Sequence, residues 1–572
     1  MRIEQRPLPT VLPHLGDIPP LLTRIYAARG VSSAAELDTG LAQLLPAHLL
    51  KGMDQAVALL AHALEHRQRI LIVGDFDADG ATASCVGMLG LRMLGAAHVD
   101  YLVPNRFDYG YGLTPEIVTV ALERQPDILV TVDNGISSIE GVAAAQAAGL
   151  KVIVTDHHLP GAQIPTADAI VNPNQPGCEF PSKALAGVGV MFYVLLALRA
   201  HLRGTGWFTQ HDFKEPNLAE LLDLVALGSV ADVVPLDANN RILVHQGLAR
   251  IRAGRSRPGL RAILEVARRD FRRLVSTDLG FIVGPRLNAA GRLDDISLGI
   301  ECLLCEDFEG ALQRAQQLDQ LNQDRKQIEQ GMQREALVQL KDLPLDNLPF
   351  GLCLFEPEWH QGVIGILASR MKERYHRPVI AFADADNGEL KGSARSIPGL
   401  HIRDALDAVA ARFPELISKF GGHAMAAGLT IQQVHYEAFA KAFDAEVRRQ
   451  LTADDLTGRI YSDGSLAAHE FDMQLAQQLR HAGPWGQRFP EPLFHGDFKI
   501  LSQRLVGEKH LKLVLQSTKS APAVDAIAFN VDLDVWPNPN ILAAQAAYTL
   551  DVNEFRGRET LQLIVSSIMP SL

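Results

Sequence analysis

Three aspartates at alternate positions, Asp75, Asp77 and Asp79, follow the apolar run Arg69-Ile-Leu-Ile-Val73 and end on Gly80. Asp133 follows a second apolar run in Thr131-Val-Asp133-Asn-Gly135, and Asp156-His157-His158 follows a third. The stretch Ala226-Leu-Gly-Ser-Val-Ala-Asp232 adds another acid after a helix-like apolar segment. In open α/β sheets ligands bind beyond the carboxyl ends of the strands, so such segments can converge on one crevice. Carboxylates brought that close repel, and some take up protons unless a cation neutralises them. Oxygen donors with one or two imidazoles suit Mn2+ or Mg2+ better than a thiolate site would. Two such ions about 3.5–4 Å apart activate a water and stabilise both oxygens of an in-line phosphoryl displacement. A solitary Asp at a strand end is more often a helix N-cap than a ligand. The string Asp-x-Asp-x-Asp-Gly also opens an EF-hand loop, but here a strand precedes it and no glutamate closes it.

A second group of residues suits phosphate. Gly392-Ser393-Ala-Arg395-Ser396 follows an apolar-polar strand, and an arginine fork pairs bidentately with phosphate while hydroxyls add directed donors. In Gly421-Gly-His423 the glycines permit close backbone approach to a ligand, and His423 can donate to a phosphate. Between Arg250 and Arg273 nine arginines face only Glu265 and Asp270, a positive bias able to supply phosphate contacts or simply a solvated helix face. Cys302-Leu-Leu-Cys305 lacks a second cysteine pair and reads as core packing. No Gly-x-x-x-x-Gly-Lys-Ser/Thr string occurs, so nothing points to an ATP-driven motor.

Positioning these groups demands strands that stop at one edge. From residue 51 onward strands alternate with helices: strand 69–73, helix 81–95, strand 99–103, helix 115–124, strand 128–132, helix 138–148 and strand 151–155. That alternation predicts a mostly parallel sheet covered on both faces. Residues 1–50 are punctuated by proline and read as a leader packed on the core. Few breakers interrupt 308–341, which predicts a long connecting helix over 306–345. A second α/β unit is expected over 346–452, with strand 350–355, helix 362–375 and strand 378–382. From 453 to 572 five short strands fit a small OB-like barrel. Its aromatics Phe494, Phe498, Phe529 and Phe555, with Lys509, Lys512, Arg556 and Arg558, have the composition of a single-strand-binding face.

Composition bounds the partners. Of 572 residues 47% are hydrophobic and 21% charged, enough for packed cores. With 54 basic and 66 acidic residues the net charge is −12, which disfavours coating of nucleic acid through bulk positive charge. Five cysteines cannot form a disulfide framework. The longest apolar run, Gly187 to Leu198, is too short to span a bilayer, and prolines 7, 9 and 13 interrupt any export signal. The expectation is a cytoplasmic protein without membrane contact.

Taken in order, Asp75-Phe-Asp-Ala-Asp-Gly, Val132-Asp-Asn-Gly, Asp156-His-His and Ser229-Val-Ala-Asp resemble the four motifs of the DHH phosphoesterase family. The resemblance is strongest to its single-strand-specific exonucleases. It extends through Pro104–Leu113, Gly284-Pro-Arg-Leu-Asn-Ala-Ala-Gly-Arg-Leu293, Trp359–Gly365, Gly392–Ser396, Gly421–Gly428 and Gly483–Pro490. One departure stands out: Arg488-Phe489 occupies the place of an expected Gly-Asn.

The resemblance implies the rest of the assignment. The chain would hold a DHH catalytic domain at 51–305, the connecting helix, a DHH-associated domain and the barrel. Asp75, Asp77, Asp133, His157 and Asp232 would bind two Mn2+ or Mg2+ ions, with Asp79 either a ligand or a supporting carboxylate. Asp156 would orient its neighbours, and His158 would contact the scissile phosphate or assist proton transfer. Arg106, Ser393 and Arg395 would hold a 5′-terminal phosphate, with His423 beside them. Arg286, Asn288 and Arg292 would touch the strand near the metals. The implied activity is 5′→3′ hydrolysis of single-stranded DNA to mononucleotides in recombination and repair, served by a helicase and a single-strand-binding protein. The alternative is a DHH phosphodiesterase acting on short oligoribonucleotides or cyclic dinucleotides.

Overall fold

The computed structural model describes residues 2–104, 112–341, 348–385, 387–517, 522–555 and 557–571, apart from the side chains of Lys341 and Phe555. Internal contacts separate two units, one of Gln5–Asp319 with Tyr461–Leu572 and the other of Gln320–Ile460 with Met1–Glu4. A 34-residue helix, Phe308–Lys341, contains the point of division.

In the first unit the apolar runs form a five-stranded parallel sheet. Its strands are β1 (Arg69–Val73), β2 (His98–Leu102), β3 (Ile128–Val132), β4 (Lys151–Thr155) and β5 (Ala169–Val171), in the order β2-β1-β3-β4-β5. Every residue of β3 is buried, the signature of a strand covered on both faces. Because β1, β3 and β4 are neighbours and parallel, the segments that follow them emerge side by side at one edge. The sheet order also reverses between β1 and β3, where Asp75 and Asp133 emerge.

The helix after β1 begins at Ala78 rather than at 81, because Asp77 caps it. The Asp77 carboxylate accepts the amides of Asp79 and Gly80 at 2.9 and 3.0 Å. That helix, Ala78–Met93, is rich in small residues and buried on almost every side. The helix Gly187–Gly204 approaches the sheet edge so closely that a Cβ at Gly187 would lie 2.5 Å from the Asp133 Cβ. Only glycine fits there.

The second unit folds around a five-stranded sheet of β6 (Leu352–Phe355), β7 (Val379–Ala385), β8 (Glu389–Arg395), β9 (Lys419–Gly422) and β10 (Ala426–Gln432), in the order β9-β10-β8-β7-β6. Its core gathers Phe382, Phe439, Phe443, Leu406 and Ile431. Register pairs Ser393 with Gly428 and Arg395 with Ala426.

The rest of the first unit ends in a closed barrel. Its strands are β11 (Phe494–Val506), β12 (His510–Ser517), β13 (Ala523–Ala528), β14 (Ala543–Phe555) and β15 (Arg558–Pro570), closing in the order β11-β12-β13-β15-β14. The strands run longer than the apolar stretches alone suggest, since the exposed ends pair through backbone bonds that need no apolar side chain. Phe494 and Phe498 are core residues, whereas Phe529 is 52% exposed. Lys512 pairs with Asp525 at 3.2 Å.

The segment leading into the barrel is fastened by the leader. Arg29 from the leader grips Asp463 through two bonds of 2.8 and 2.9 Å, with both side chains almost fully buried. Tyr26, Trp485 and Phe489 stack at centroid distances of 5.2 to 6.1 Å, and the Arg241 guanidinium lies 4.3 Å above Phe489. The departure from the family pattern is thereby explained at Phe489, which fills the stack. Arg488 keeps a φ of +57°, a conformation that costs a residue with a Cβ about 1–2 kcal/mol. Arg488→Gly should therefore stabilise the protein by about 1 kcal/mol in denaturant titration, the entropy of the unfolded glycine offsetting part of the gain. Phe489→Ala should cost about 3 kcal/mol in the same assay.

Candidate metal centre

The three strand ends and the end of the helix Leu222–Ala231 meet in one buried cluster. Donor atoms of Asp75, Asp77 and Asp133 lie within 4.8 Å of one another, as do those of Asp133, His157 and His158, and those of Asp79, His157 and Asp232. Asp133 belongs to the first two sets and His157 to the last two. All six residues read from the sequence as ligands or near-ligands are thus brought together.

Backbone groups fix the cluster. Both Asp79 oxygens accept amides from the start of the helix Gly187–Gly204, Gly187 at 2.6 Å and Val188 at 3.0 Å. Asp156 accepts the amides of His157, His158 and Ile136 and the His158 Nδ1 at 2.7 to 3.1 Å, so its carboxylate orients the loop. Asn134 donates to the carbonyls of Val73 and Val132, tying the ends of β1 and β3, while Asp133 itself adopts a φ of +62°. Two residues that the sequence reading passed over hold the histidines. Asn172 donates to the His158 carbonyl at 2.9 Å and Asn174 to that of His157 at 2.6 Å. Their signal was Asn172-Pro-Asn174, an ordinary turn string whose role depends on where β5 ends.

The donor set fits divalent cations. Burial and the Asp77 charge push Asp79 up to about 7, against the amides that hold it. Burial and neighbouring carboxylates raise Asp133 and Asp232 well above the usual range. His157 is pulled down to about 4 by burial and by the charge of His158, while the Leu185 backbone hydrogen-bonds the ring. The neutral ring turns a buried Nε2, without a hydrogen bond among the described residues, toward Asp133 at 3.1 Å, Asp232 at 3.5 Å and Asp79 at 3.9 Å. A lone pair facing carboxylate oxygens across so short a gap is where a cation relieves repulsion. His158 behaves oppositely. Burial opposes its charge, yet the bond to Asp156 and the charges of Asp156, Asp232 and Asp75 push it up to about 9. Asp156, despite burial, is held below its ordinary value by both histidines and the Ile136 amide.

Three family models match segments of the chain: the DHH family N-terminal domain over 69–229, the DHHA1 domain over 349–449 and the RecJ OB domain over 462–567. The single-stranded-DNA-specific exonuclease RecJ of Salmonella typhimurium is 57% identical over 97% of this chain and 96% of its own. The chain belongs to the RecJ family. Its Escherichia coli relative, under the same name, is 56% identical over 97% of this chain and 96% of its own. The crystal structure of Thermus thermophilus RecJ with Mn2+ superposes with a TM-score of 0.79 at 31% identity, covering 97% of this chain and 76% of that one. A Mg2+ form of the same protein gives a TM-score of 0.74 at 30% identity, with the same coverage.

Other RecJ-type candidate residues fall as follows. Asn288 Oδ1 accepts the Ala78 amide at 2.8 Å, directly beneath the Asp75–Asp79 loop. Arg286 is engaged with Asp319 at 2.7 Å and the Ile282 carbonyl at 2.6 Å, and Arg292 is half-buried on the same helix. In the second unit Arg395 bonds Ser393 Oγ at 3.1 Å, and among the described residues no carboxylate pairs with it. His423 is exposed just beyond β9. Arg106 lies outside the described residues. Six of the nine arginines in 250–273 have internal partners: Arg252 with the Leu274 carbonyl, Arg257 with Asp223, Arg261 and Arg272 over Phe271, Arg269 with Asp278, and Arg273 with Glu554 and Glu559.

Linkage gives the metal-free protein a definite pH dependence. Asp79 and His158 have folded values of about 7 and 9, above their unfolded ones, so the folded state binds more protons than the unfolded state between pH 6.5 and 9. Stability is therefore lost as pH rises through that window. Calorimetry in EDTA should show the melting temperature falling from pH 6.5 to 9, and saturating Mn2+ should flatten the slope.

Proposed function

We propose that this RecJ-family chain degrades single-stranded DNA from the 5′ end, releasing mononucleotides. The observation that carries the reading is the pair of adjoining donor sets sharing Asp133, with a neutral His157 and a charged His158 beside each other. Two Mn2+ or Mg2+ ions bound there would supply an activated water and stabilise the charge of an in-line phosphoryl displacement. Asp75, Asp77, Asp133, His157 and Asp232 hold the ions, and Asp79, fixed by two amides, completes the cage. Asp156 fixes the loop. His158, kept cationic by Asp156, contacts the scissile phosphate or delivers a proton to the leaving 3′ oxygen.

Ser393 and Arg395, with His423 on the neighbouring loop, hold the 5′-terminal phosphate. Support comes from a half-buried guanidinium that, among the described residues, has no carboxylate of its own, which suits an anion supplied by the substrate. Asn288 and Arg292 face the strand, and Arg286 shapes their helix. The barrel favours a long polymer over a dinucleotide. In the cell the enzyme works in the cytoplasm in recombination and repair, on strands opened by a helicase and covered by a single-strand-binding protein.

Digestion of end-labelled single strands, with and without a 5′ phosphate, tests this directly. After EDTA treatment activity should vanish and return with Mn2+, and a 5′ label should leave first as a mononucleotide. Asp77→Ala and Asp133→Ala should each lower the rate by roughly a thousandfold or more. Full activity in Asp77→Ala, or release from the 3′ end, would overturn the reading. Arg395→Ala should raise the KM of the phosphorylated strand roughly tenfold while sparing the 5′-hydroxyl strand.

A further inference from the structure

Around the helix end that delivers Asp232, the next residue and the turn packed against that end each expose an apolar side chain that the chemistry above does not use. Phe281 is 79% exposed, more than any other phenylalanine among the described residues, and Val233 is 61% exposed. Phe281 sits on a single π-helical turn, Leu279–Val283, an insertion that often marks a functional position in a helix. The turn runs directly into the helix Gly284–Leu293, which carries Arg286, Asn288 and Arg292. It is seated on the end of the helix that delivers Asp232. A Cβ at Gly280 would lie 3.2 Å from Val230 Cγ1, and one at Gly284 would lie 3.2 Å from the Ala231 Cβ. Val233, the residue after Asp232, holds a φ of +60°, an outlier for a β-branched side chain and one that clusters at functional sites. Leu279 and Val283 flank Phe281 and are fully buried, so the turn has a core to bury against and yet sends its largest ring outward.

We propose that Phe281 is a stacking ledge for a nucleobase of the strand whose phosphate is held at the metal centre. The inference rests on the nuclease reading above. A polymer that brings a phosphate to Asp232 carries an aromatic base alongside it, and an exposed ring on the turn packed against that helix end offers the base a face. Stacking on an aromatic side chain is indifferent to sequence because every base has a π-face. The ledge therefore holds any strand in place without reading it. A protein partner on this patch would instead compete with the substrate.

Abasic strands separate these possibilities. On an ordinary strand Phe281→Ala should raise KM roughly tenfold with kcat within about threefold of wild type, and Phe281→Trp should restore wild-type values. On a strand of equal length whose 5′-proximal residues lack bases, wild type and Phe281→Ala should be indistinguishable. Equal losses on both strands would mean that Phe281 acts through the fold, and no loss on the ordinary strand would mean that the ring touches nothing; either overturns the ledge. A wild-type protein that digests neither strand would instead sink the nuclease reading and the ledge with it.

Discussion

Mutual repulsion among buried carboxylates is the constraint around which the first unit is organised. Asp75, Asp79 and Asp133 are all buried within one crevice, and such a group cannot ionise together in a low-dielectric site without compensation. The fold supplies part of that compensation from its backbone. The start of the helix Gly187–Gly204 gives two amides to Asp79, where a helix N-terminus also favours negative charge. Three amides and an imidazole do the same for Asp156. Asp133 and Asp232 are raised well above the usual carboxylate range by burial and by the carboxylates around them. The unmet charge is concentrated where ions are needed.

The same environment divides two adjacent histidines into different tools. His157 is turned toward carboxylate oxygens with its second nitrogen tied to the Leu185 backbone, which leaves a lone pair as the group presented to a metal. His158 is anchored on Asp156 and carries a proton. Neighbouring groups whose environments push their protonation apart are the mark of divided acid–base roles. The Asn172 and Asn174 amides hold the two histidine carbonyls, so the loop is fixed through its backbone while Asp156 and the Leu185 backbone hold the rings.

How far this was legible in sequence depended on the kind of interaction. The parallel sheet followed from apolar runs that alternate with helices, and the acids at its edge followed from their place just after those runs. The closed barrel followed from five strand-like stretches, although its strands extend beyond them because exposed ends pair through the backbone. Asp77 shows why a single residue could not be assigned by rule, since it caps a helix and belongs to the donor cluster at once. The carboxylate of Asp79 could not be placed because its partners, Gly187 and Val188, lie more than a hundred residues away and act through backbone groups that every residue possesses. The arginine-rich stretch read as free positive charge in part for the same reason, since Arg273 is paired with Glu554 and Glu559 from the barrel.

That internal pairing resolves the tension between a net charge of −12 and an anionic substrate. A protein that relied on bulk attraction would need unpaired basic side chains spread over its surface. Here Arg257, Arg269 and Arg273 already face acids, and Arg286 faces Asp319. Affinity for a polyanion then falls to a few local contacts that do not depend on overall charge: cations at the carboxylate cluster and, as proposed above, the Arg395 guanidinium and the Phe281 ring. Such contacts are indifferent to base identity, because none addresses the edges by which bases differ. An enzyme that must consume any strand needs that indifference, and an acidic surface adds to it by discouraging attachment anywhere except where the chain supplies a specific partner.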